Sequence, residues 1–284
     1  MSDPVKKQAA LYIVATPIGN LGDMTGRAVE IMKMVDLIAA EDTRHSGRLL
    51  QHFGVATRMT SYHDFSDETR VDDLIGKLSG GLSIALISDA GTPLISDPGY
   101  RLVVRARQAG IPVIPIPGAC ALTTALSAAG LPSDRFVFEG FPSAKRVARL
   151  KQFEGLLKEV RTLIFYESPH RILDCVQDLH AVFGSDREVV LCRELTKTFE
   201  SIHGDTLGNL LPWLQQDDNR QRGEFVVLVK GAEENPVQEL DGDAERVLDI
   251  LLEELSTKQA AAMAARITGV KKNLLYQRAL SRME

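Results

Sequence analysis

The chain has 284 residues, of which 44% are apolar and 25% charged, and its net charge is −5. That length exceeds the usual domain of about 100–150 residues and provides for two folded domains and a tail. The composition excludes a disordered chain, and no apolar run approaches the roughly 18 residues of a membrane span, so a cytoplasmic protein with no membrane partner is expected.

Residues 11–15 (Leu-Tyr-Ile-Val-Ala) predict a buried strand, reached from a polar start without the apolar core of a signal peptide. A loop follows over 16–23, then helical spacing over 24–34 and a strand over 36–40. That strand ends in a polar cluster, Glu41, Asp42, Thr43, Arg44, His45 and Ser46, before a helix that stops at Gly54. Residues 57–62 predict a short strand, 68–78 a helix closed by Gly80 and Gly81, 82–87 a strand, 100–107 a helix ending at Gly110, and 111–116 a strand. This alternation predicts a mostly parallel α/β sheet over residues 1–117. A second unit over 118–232 begins with a small-residue helix at 122–129. Strands follow at 136–141, 162–166, 188–193 and 223–231, with helices at 145–159, 169–183 and 207–215. Residues 199–205 alternate and predict an antiparallel neighbour of the 188–193 strand, so the second sheet is expected to be mixed. Residues 235–243 read as a polar linker, and the remainder of the 233–284 segment as helical.

The loop over 88–99 (Ser-Asp-Ala-Gly-Thr-Pro-Leu-Ile-Ser-Asp-Pro-Gly) is longer than the roughly 2–6 residues a strand-to-helix connection needs. In open α/β sheets ligands sit beyond the carboxyl ends of the strands, so such a loop predicts a ligand site. Its second half has a simpler reading: Ser96 or Asp97 caps the next helix and Pro98 occupies its first turn. The loops at 16–20 and 117–121 share its composition of small residues and prolines. None of these loops carries Lys or Arg, so a neutral or cationic ligand is expected rather than a polyphosphate.

No dinucleotide fingerprint, phosphate loop, zinc-ligand pattern or Gly-x-Ser-x-Gly elbow is present in the sequence, and no metal is expected. Cys120, Cys175 and Cys192 are widely spaced and predict reduced thiols. Glu41 and Asp42 have the ordinary explanation of acids at a helix start, whereas Arg44 and His45 oppose the helix dipole there and point to function. The polar strand end from Tyr166 to Arg171 joins the candidate site loops, as does the one from Glu41 to Ser46. Glu167, His170 and Arg171, like the charged residues from Arg193 to Lys197, have the alternative reading of salt bridges on the surface, worth little. In the tail, nine acids against one Arg over 233–254 give way to six bases against one acid over 256–284. An alanine-rich helix, a Gly-Val turn and a basic helix have the outline of a helix-turn-helix, which favours contact with nucleic acid. Lys145, Arg146, Arg149 and Lys151 form a second basic patch.

The segments 11–21, 40–44 (Ala-Glu-Asp-Thr-Arg), 88–99 and 117–119 (Pro-Gly-Ala) resemble the tetrapyrrole methylase superfamily, and more narrowly its ribosomal branch, the small-subunit ribosomal RNA methyltransferases of type I. The resemblance runs from about residue 11 to residue 230, and the basic tail fits that branch. It implies two α/β domains with S-adenosylmethionine in the cleft between them, a homodimer, and methylation of the ribose 2′-hydroxyl of a cytidine in the decoding region of 16S rRNA, within the rRNA or the small subunit. It assigns the cofactor to Pro17, to Ser88, Asp89, Ala90, Gly91, Thr92, Pro93 and Ser96, to Pro117, Gly118, Ala119, Cys120 and Ala121, and to Tyr166, Glu224, Phe225 and Val226. Glu41, Asp42, His45 and Asp89 are the candidate proton acceptors. Arg44, Lys145, Arg146, Lys271, Lys272 and Arg278 are the candidate RNA-binding residues. The superfamily often has Gly-Asp-Pro where this chain has Ser88, Asp89 and Ala90, a departure that marks the ribosomal branch and speaks against a porphyrin substrate. Two other readings compete: a methylase of a small tetrapyrrole, and a ligand-responsive regulator that reads DNA with its tail.

Overall fold

The computed structural model describes residues 8–63, 68–233 and 242–281. The chain forms two compact units that divide between Ala232 and Glu233. Most of the linker expected at 235–243 lies outside the described residues.

In the first unit, β1 (Leu11–Val14), β2 (Leu37–Ala40), β3 (Met59–Ser61), β4 (Ile84–Ile87) and β5 (Val113–Ile116) form a sheet in the order β3-β2-β4-β1-β5, parallel at every pairing. Helices α1 (Gly26–Met34), α2 (Thr43–His52), α3 (Glu68–Ser79) and α4 (Tyr100–Gln108) supply the crossovers. Tyr12, Val14, Ile38, Ala85 and Ile87 pack with Ile31 and Met32 of α1 on one face, and Leu11, Ala39, Ile84 and Leu86 pack with Leu74 and Leu102 of α3 and α4 on the other. Burial on both faces is why these strands read as continuous aliphatic runs. Pro115 is accommodated because β5 is an edge strand.

Helix α5 (Ala121–Ala128) leads to a second sheet of β6 (Phe136–Gly140), β7 (Thr162–Glu167), β10 (Phe225–Val229), β8 (Glu188–Arg193) and β9 (Ser201–Thr206), in that order. Only β6 and β7 pair in parallel, and β9 is the antiparallel neighbour of β8. One face packs against α6 (Arg146–Leu156), α7 (Ile172–Phe183) and α8 (Leu207–Gln215) through Phe153, Phe165, Leu179 and Leu210. The other face contributes Ile164, Val190, Cys192, Val226 and Leu228, which bury Leu122 and Ala125 of α5 and Ile18 of the first unit's opening loop. Ile18 and α5 therefore tie the second sheet to the loops of the first, and the carboxyl ends of β1, β4 and β5 lie against the end of the second sheet where β7 and β8 finish and β10 begins.

One expectation fails at the loop after β4. The helix starts at Tyr100, with Gly99 as its N-cap at φ 138° and no side-chain cap, so neither Ser96 nor Asp97 caps it and Pro98 lies outside it. Leu94 and Ser96 both hold positive φ (75° and 62°), which keeps the chain coiled at the strand end. At Gly99 a Cβ would meet Leu86 Cδ2 at 2.7 Å. Helix α7 likewise starts at Ile172, later than expected.

The second unit consists of α9 (Gly242–Glu254), α10 (Thr257–Thr268) and α11 (Lys272–Leu280) around Ala244, Leu248, Ala260, Ala261, Ala264, Leu275 and Ala279. Gly269 ends α10 in the left-handed region at φ 75°. Among the described residues no helix is long and apolar enough to cross a membrane. The three cysteines are free thiols, and burial pushes Cys192 up to about 12.

Candidate functional site

The first loop and the loop after β4 are tied together. Thr16 and Gly91 exchange backbone hydrogen bonds of 2.8 and 3.1 Å, and the Thr16 hydroxyl donates to the Ser88 carbonyl at 3.2 Å. Gly91 sits at φ 82°, and a Cβ there would meet Ile18 Cγ2 at 3.2 Å. The Thr92 hydroxyl donates to the Ala119 carbonyl at 3.0 Å, which binds the third loop to the second. At Gly118 a Cβ would lie 2.9 Å from that of Ala15, so the third loop can lie directly on the end of β1 only as glycine.

These three loops and the end of the second sheet enclose a cavity of 410 Å³, a size suited to a small organic ligand. Of the residues assigned by resemblance, Ala90, Gly91, Thr92, Ser96, Cys120, Ala121, Tyr166, Glu224, Phe225 and Val226 line it. Ser88, Pro93, Pro117, Gly118 and Ala119 do not. Ser88 is buried behind the loop, and Gly118 and Ala119 hold the third loop in place. The wall also contains Ile18, Ile95, Asp97, Phe141, Glu167, Ser168, Pro169 and Leu195, which sequence reasoning did not assign to the ligand. Residues 96–97 therefore belong to the cavity instead of serving only to start a helix.

Tyr166 organises the second-sheet side. Its hydroxyl oxygen accepts the Leu122 N–H at 2.9 Å, which satisfies one of the amides at the start of α5. Its ring meets Phe138 and Phe141 edge to face, with centroids at 4.8 and 5.7 Å. Burial, together with the nearby Cys120, pushes the phenol well above its ordinary value. It therefore stays protonated and keeps its own hydrogen to donate.

The charges after β7 are not surface salt bridges. The Glu167 side chain is fully buried; it accepts the Ser168 N–H at 2.8 Å and pairs with Arg171 at 3.2 Å, while Arg171 also reaches the Pro142 carbonyl. Removing one partner of such a pair leaves an uncompensated buried charge, so this one matters to the site's shape. After β8, Lys197 Nζ lies 2.9 Å from both Glu194 and Glu224. Burial opposes the charge on Glu194, but hydrogen bonds from Lys197 and the Glu224 amide hold it below the usual range. The Lys197 stem lies against Gly19, where a Cβ would fall 2.4 Å from its Cγ, so the first loop is fitted to the second sheet at this point.

On the far side of the two tied loops lies a smaller hollow of 300 Å³, lined by Pro17, Gly19, Leu21, His45, Arg48, Leu49 and Asp89. Two of the residues assigned to the cofactor, Pro17 and Asp89, thus face this hollow and not the cavity. Asp89 Oδ1 accepts the Asp42 N–H at 3.1 Å. Asp42 is the N-cap of α2: it accepts the Arg44 N–H at 2.8 Å and pairs with the Arg44 guanidinium at 3.1 Å. Those hydrogen bonds hold its carboxyl below the usual range. They also explain how Arg44 is tolerated in a first turn, since the capping carboxylate offsets it. Glu41 and Asp42 line neither space.

The basic residues fare unequally. Lys145 is exposed, and Arg146 is exposed but bonded to Asp178 at 2.9 Å. Arg149 is buried against the same Asp178 at 2.6 Å and is not part of a surface patch. Lys271 and Lys272 are exposed at the start of α11, whereas Arg278 is bound to Glu245 at 2.6 Å. Among the described residues no group of three or more His, Cys, Asp or Glu is placed to hold a metal ion.

Residues 10–211 match the sequence model of the Tetrapyrrole (Corrin/Porphyrin) Methylases, and residues 238–283 that of the RsmI C-terminal HTH domain. Proteins named Ribosomal RNA small subunit methyltransferase I from Escherichia coli O157:H7 and Vibrio cholerae are each 56% identical to the chain; the alignments cover 96% and 94% of it, and 95% and 93% of those proteins. The protein of that name from Synechocystis is 47% identical over 95% of the chain and 97% of its own length. Among solved structures, the cobalt precorrin-4 methyltransferase of cobalamin biosynthesis superposes with a TM-score of 0.58 at 16% identity, covering 78% of this chain and 95% of that one. Uroporphyrin-III-C-methyltransferase from Thermus thermophilus gives 0.55 at 18% identity, covering 78% and 94%. These two share the fold of the two-sheet unit. With the family model spanning most of the chain and relatives more than half identical over nearly its whole length, the chain belongs to the tetrapyrrole methylase family, in the group named ribosomal RNA small subunit methyltransferase I.

Proposed function

We propose that the protein transfers a methyl group from S-adenosylmethionine to the ribose 2′-hydroxyl of a cytidine in the decoding region of 16S rRNA. The observation that carries the cofactor assignment is the lining of the 410 Å³ cavity: its charged wall residues are the acids Asp97, Glu167 and Glu224, of which Glu167 is paired with Arg171 and Glu224 with Lys197, and no Lys or Arg lines it. A wall of acids, small residues and apolar side chains without a cation suits a ligand with no phosphate, as S-adenosylmethionine is, and opposes a polyphosphate. When bound, S-adenosylmethionine supplies an electrophilic methyl group whose transfer disperses positive charge. Ala90, Gly91 and Thr92 present backbone to it, Tyr166 offers a hydroxyl hydrogen, and Phe141 and Phe225 offer apolar surface. The Thr16–Gly91 bridge holds the first-sheet loops as one wall, and Lys197, held by Glu194 and Glu224, lays its stem on Gly19 of that wall; such positioning supplies much of the rate in a displacement reaction. Of the four candidate proton acceptors, His45 and Asp89 line the hollow beyond the tied loops and none lines the cavity. Glu41 and Asp42 are set aside because they line neither space.

The ribosomal substrate rests on the named relatives and on the exposed Lys271 and Lys272 of the tail. The family resemblance also implies a homodimer acting in the cytoplasm, where small subunits are assembled; sedimentation tests the dimer. The activity is tested by incubating the protein with methyl-labelled S-adenosylmethionine and, in parallel, unmethylated small subunits, naked 16S rRNA, duplex DNA and a porphyrin precursor. Label is expected in the RNA of the small subunit or in naked rRNA, at a single cytidine whose 3′-phosphodiester resists alkaline hydrolysis. Label on a base, or on the porphyrin alone, overturns the proposal; so does sequence-selective duplex binding without any transfer.

A further inference from the structure

We propose that the 300 Å³ hollow beyond the tied loops seats one nucleotide of the RNA strand, with Arg48 on its phosphate and His45 and Asp89 beside its ribose 2′-hydroxyl. The inference rests on the ribosomal RNA reading above and names how that substrate is held. The first loop and the loop after β4, joined at Thr16 and Gly91, form a wall one layer thick. Successive residues face opposite sides of it: Ile18 and Ala90 line the large cavity, and Pro17, Gly19 and Asp89 line the hollow. A ligand in the hollow is thus separated from one in the cavity by a single layer of chain.

The two spaces differ in charge preference. No Lys or Arg lines the cavity, whereas the hollow is lined by Arg48, His45 and one acid, Asp89. His45, Arg48 and Leu49 lie at i, i+3 and i+4 on α2 and so share one helix face. Among the described residues no carboxylate pairs with Arg48, and the His45 ring has no partner either. An exposed guanidinium held beside a pocket without an acid to neutralise it suits a phosphate, which it can grip with two donors. Asp89 has one oxygen fixed by the Asp42 N–H, and its other oxygen carries no hydrogen bond from the described residues. A carboxylate oriented in this way accepts from a hydroxyl. Leu21 and Leu49 add an apolar wall. An anion, a ribose hydroxyl and a flat base in one ligand describe a nucleotide. RNA in single-stranded form presents each of them.

The test uses the full chain and a short fluorescent oligoribonucleotide containing cytidine, too short to bridge several basic patches, with S-adenosylmethionine binding measured separately by calorimetry. Arg48→Ala is expected to weaken oligonucleotide binding at least tenfold, and Arg48→Lys to recover part of it. Leu49→Trp, which fills the hollow, is expected to weaken it similarly. All three should leave the S-adenosylmethionine affinity within twofold. Oligonucleotide binding that is absent in the wild type, or unchanged in both Arg48→Ala and Leu49→Trp, overturns the inference. A parallel loss of S-adenosylmethionine affinity also overturns it, because the hollow would then belong to the cofactor. If the wild type methylates small subunits and Arg48→Ala does so with unchanged KM, the hollow proposal fails and the activity stands. If Arg48 governs oligonucleotide binding but no methyl group reaches RNA, the reverse holds.

Discussion

Tyr166 joins three roles in one side chain: it closes the amide at the start of α5, meets Phe138 and Phe141 edge to face, and lines the cavity. Tyr166→Phe keeps the ring and removes the acceptor, which leaves the Leu122 N–H unpaired at a cost of about 1–3 kcal/mol. Urea unfolding should show that loss at unchanged slope, and calorimetry should show weaker S-adenosylmethionine binding; full retention of both contradicts the role given to the hydroxyl. Much of this site is visible in the sequence because small residues at strand ends have few structural uses. Gly91 and Gly118 stand out for that reason, and each is required by a close approach. Asp97 and Leu195 escape a sequence reading because their places depend on backbone that no local pattern encodes. Leu94, Ser96, Glu194 and Thr196 all hold positive φ without being glycine. Such conformations cost about 1–3 kcal/mol each and persist only where surrounding structure imposes them.

Among the elements, the parallel strands are legible as apolar runs because both faces of their sheet are covered, and β9 is legible by its alternation. Their order is not. β4 lies between β2 and β1, and β10 lies between β7 and β8, placements set by long-range pairing that no window of sequence contains. The turn from α6 into β7 shows how such long-range fitting is secured. The Glu159 carboxylate takes two hydrogen bonds from the Arg161 guanidinium and one from its amide, and the Glu159 carbonyl accepts the Ala232 N–H at 2.7 Å. At the neighbouring Gly231 a Cβ would fall 2.0 Å from the Val160 carbonyl oxygen, so the chain leaving β10 lies directly on this turn. The Arg161 side-chain bonds are the main reason the Glu159 carboxyl is held down at about 2, against an ordinary value of 4.5. Because the folded value is depressed, the stabilisation is complete above the ordinary value and is lost as pH falls from there towards 2. Glu159→Gln should therefore be less stable than wild type at neutral pH, with the gap closing on acidification. Denaturant midpoints at a series of pH values check this, and a gap that stays constant across the acid range would show that the loss is steric.

Across the whole molecule, the reversal of charge along the last fifty or so residues is the clearest sequence signal, and its consequences divide by residue. Arg278 offers no free cation because Glu245 holds it within the tail unit, a pairing across 33 positions of sequence that a tally of charges cannot register. Lys271 and Lys272 remain exposed at the start of α11, where the helix amides add to their attraction for a phosphate. For each phosphate a lysine ceases to neutralise, the slope of log affinity against log salt should fall by about 0.7–0.9. The double variant Lys271→Glu, Lys272→Glu is therefore expected to bind 16S rRNA more weakly at low salt, with a slope reduced by roughly 1.4–1.8. Because both side chains are exposed and outside the core of the unit, its helices should persist by circular dichroism. Because the cavity lies wholly in the first unit, S-adenosylmethionine affinity should not change. A variant that binds rRNA with the wild-type salt slope would assign the polyanion grip to Lys145 and Arg146 instead, and the tail would then be a unit whose basic charge serves some other end.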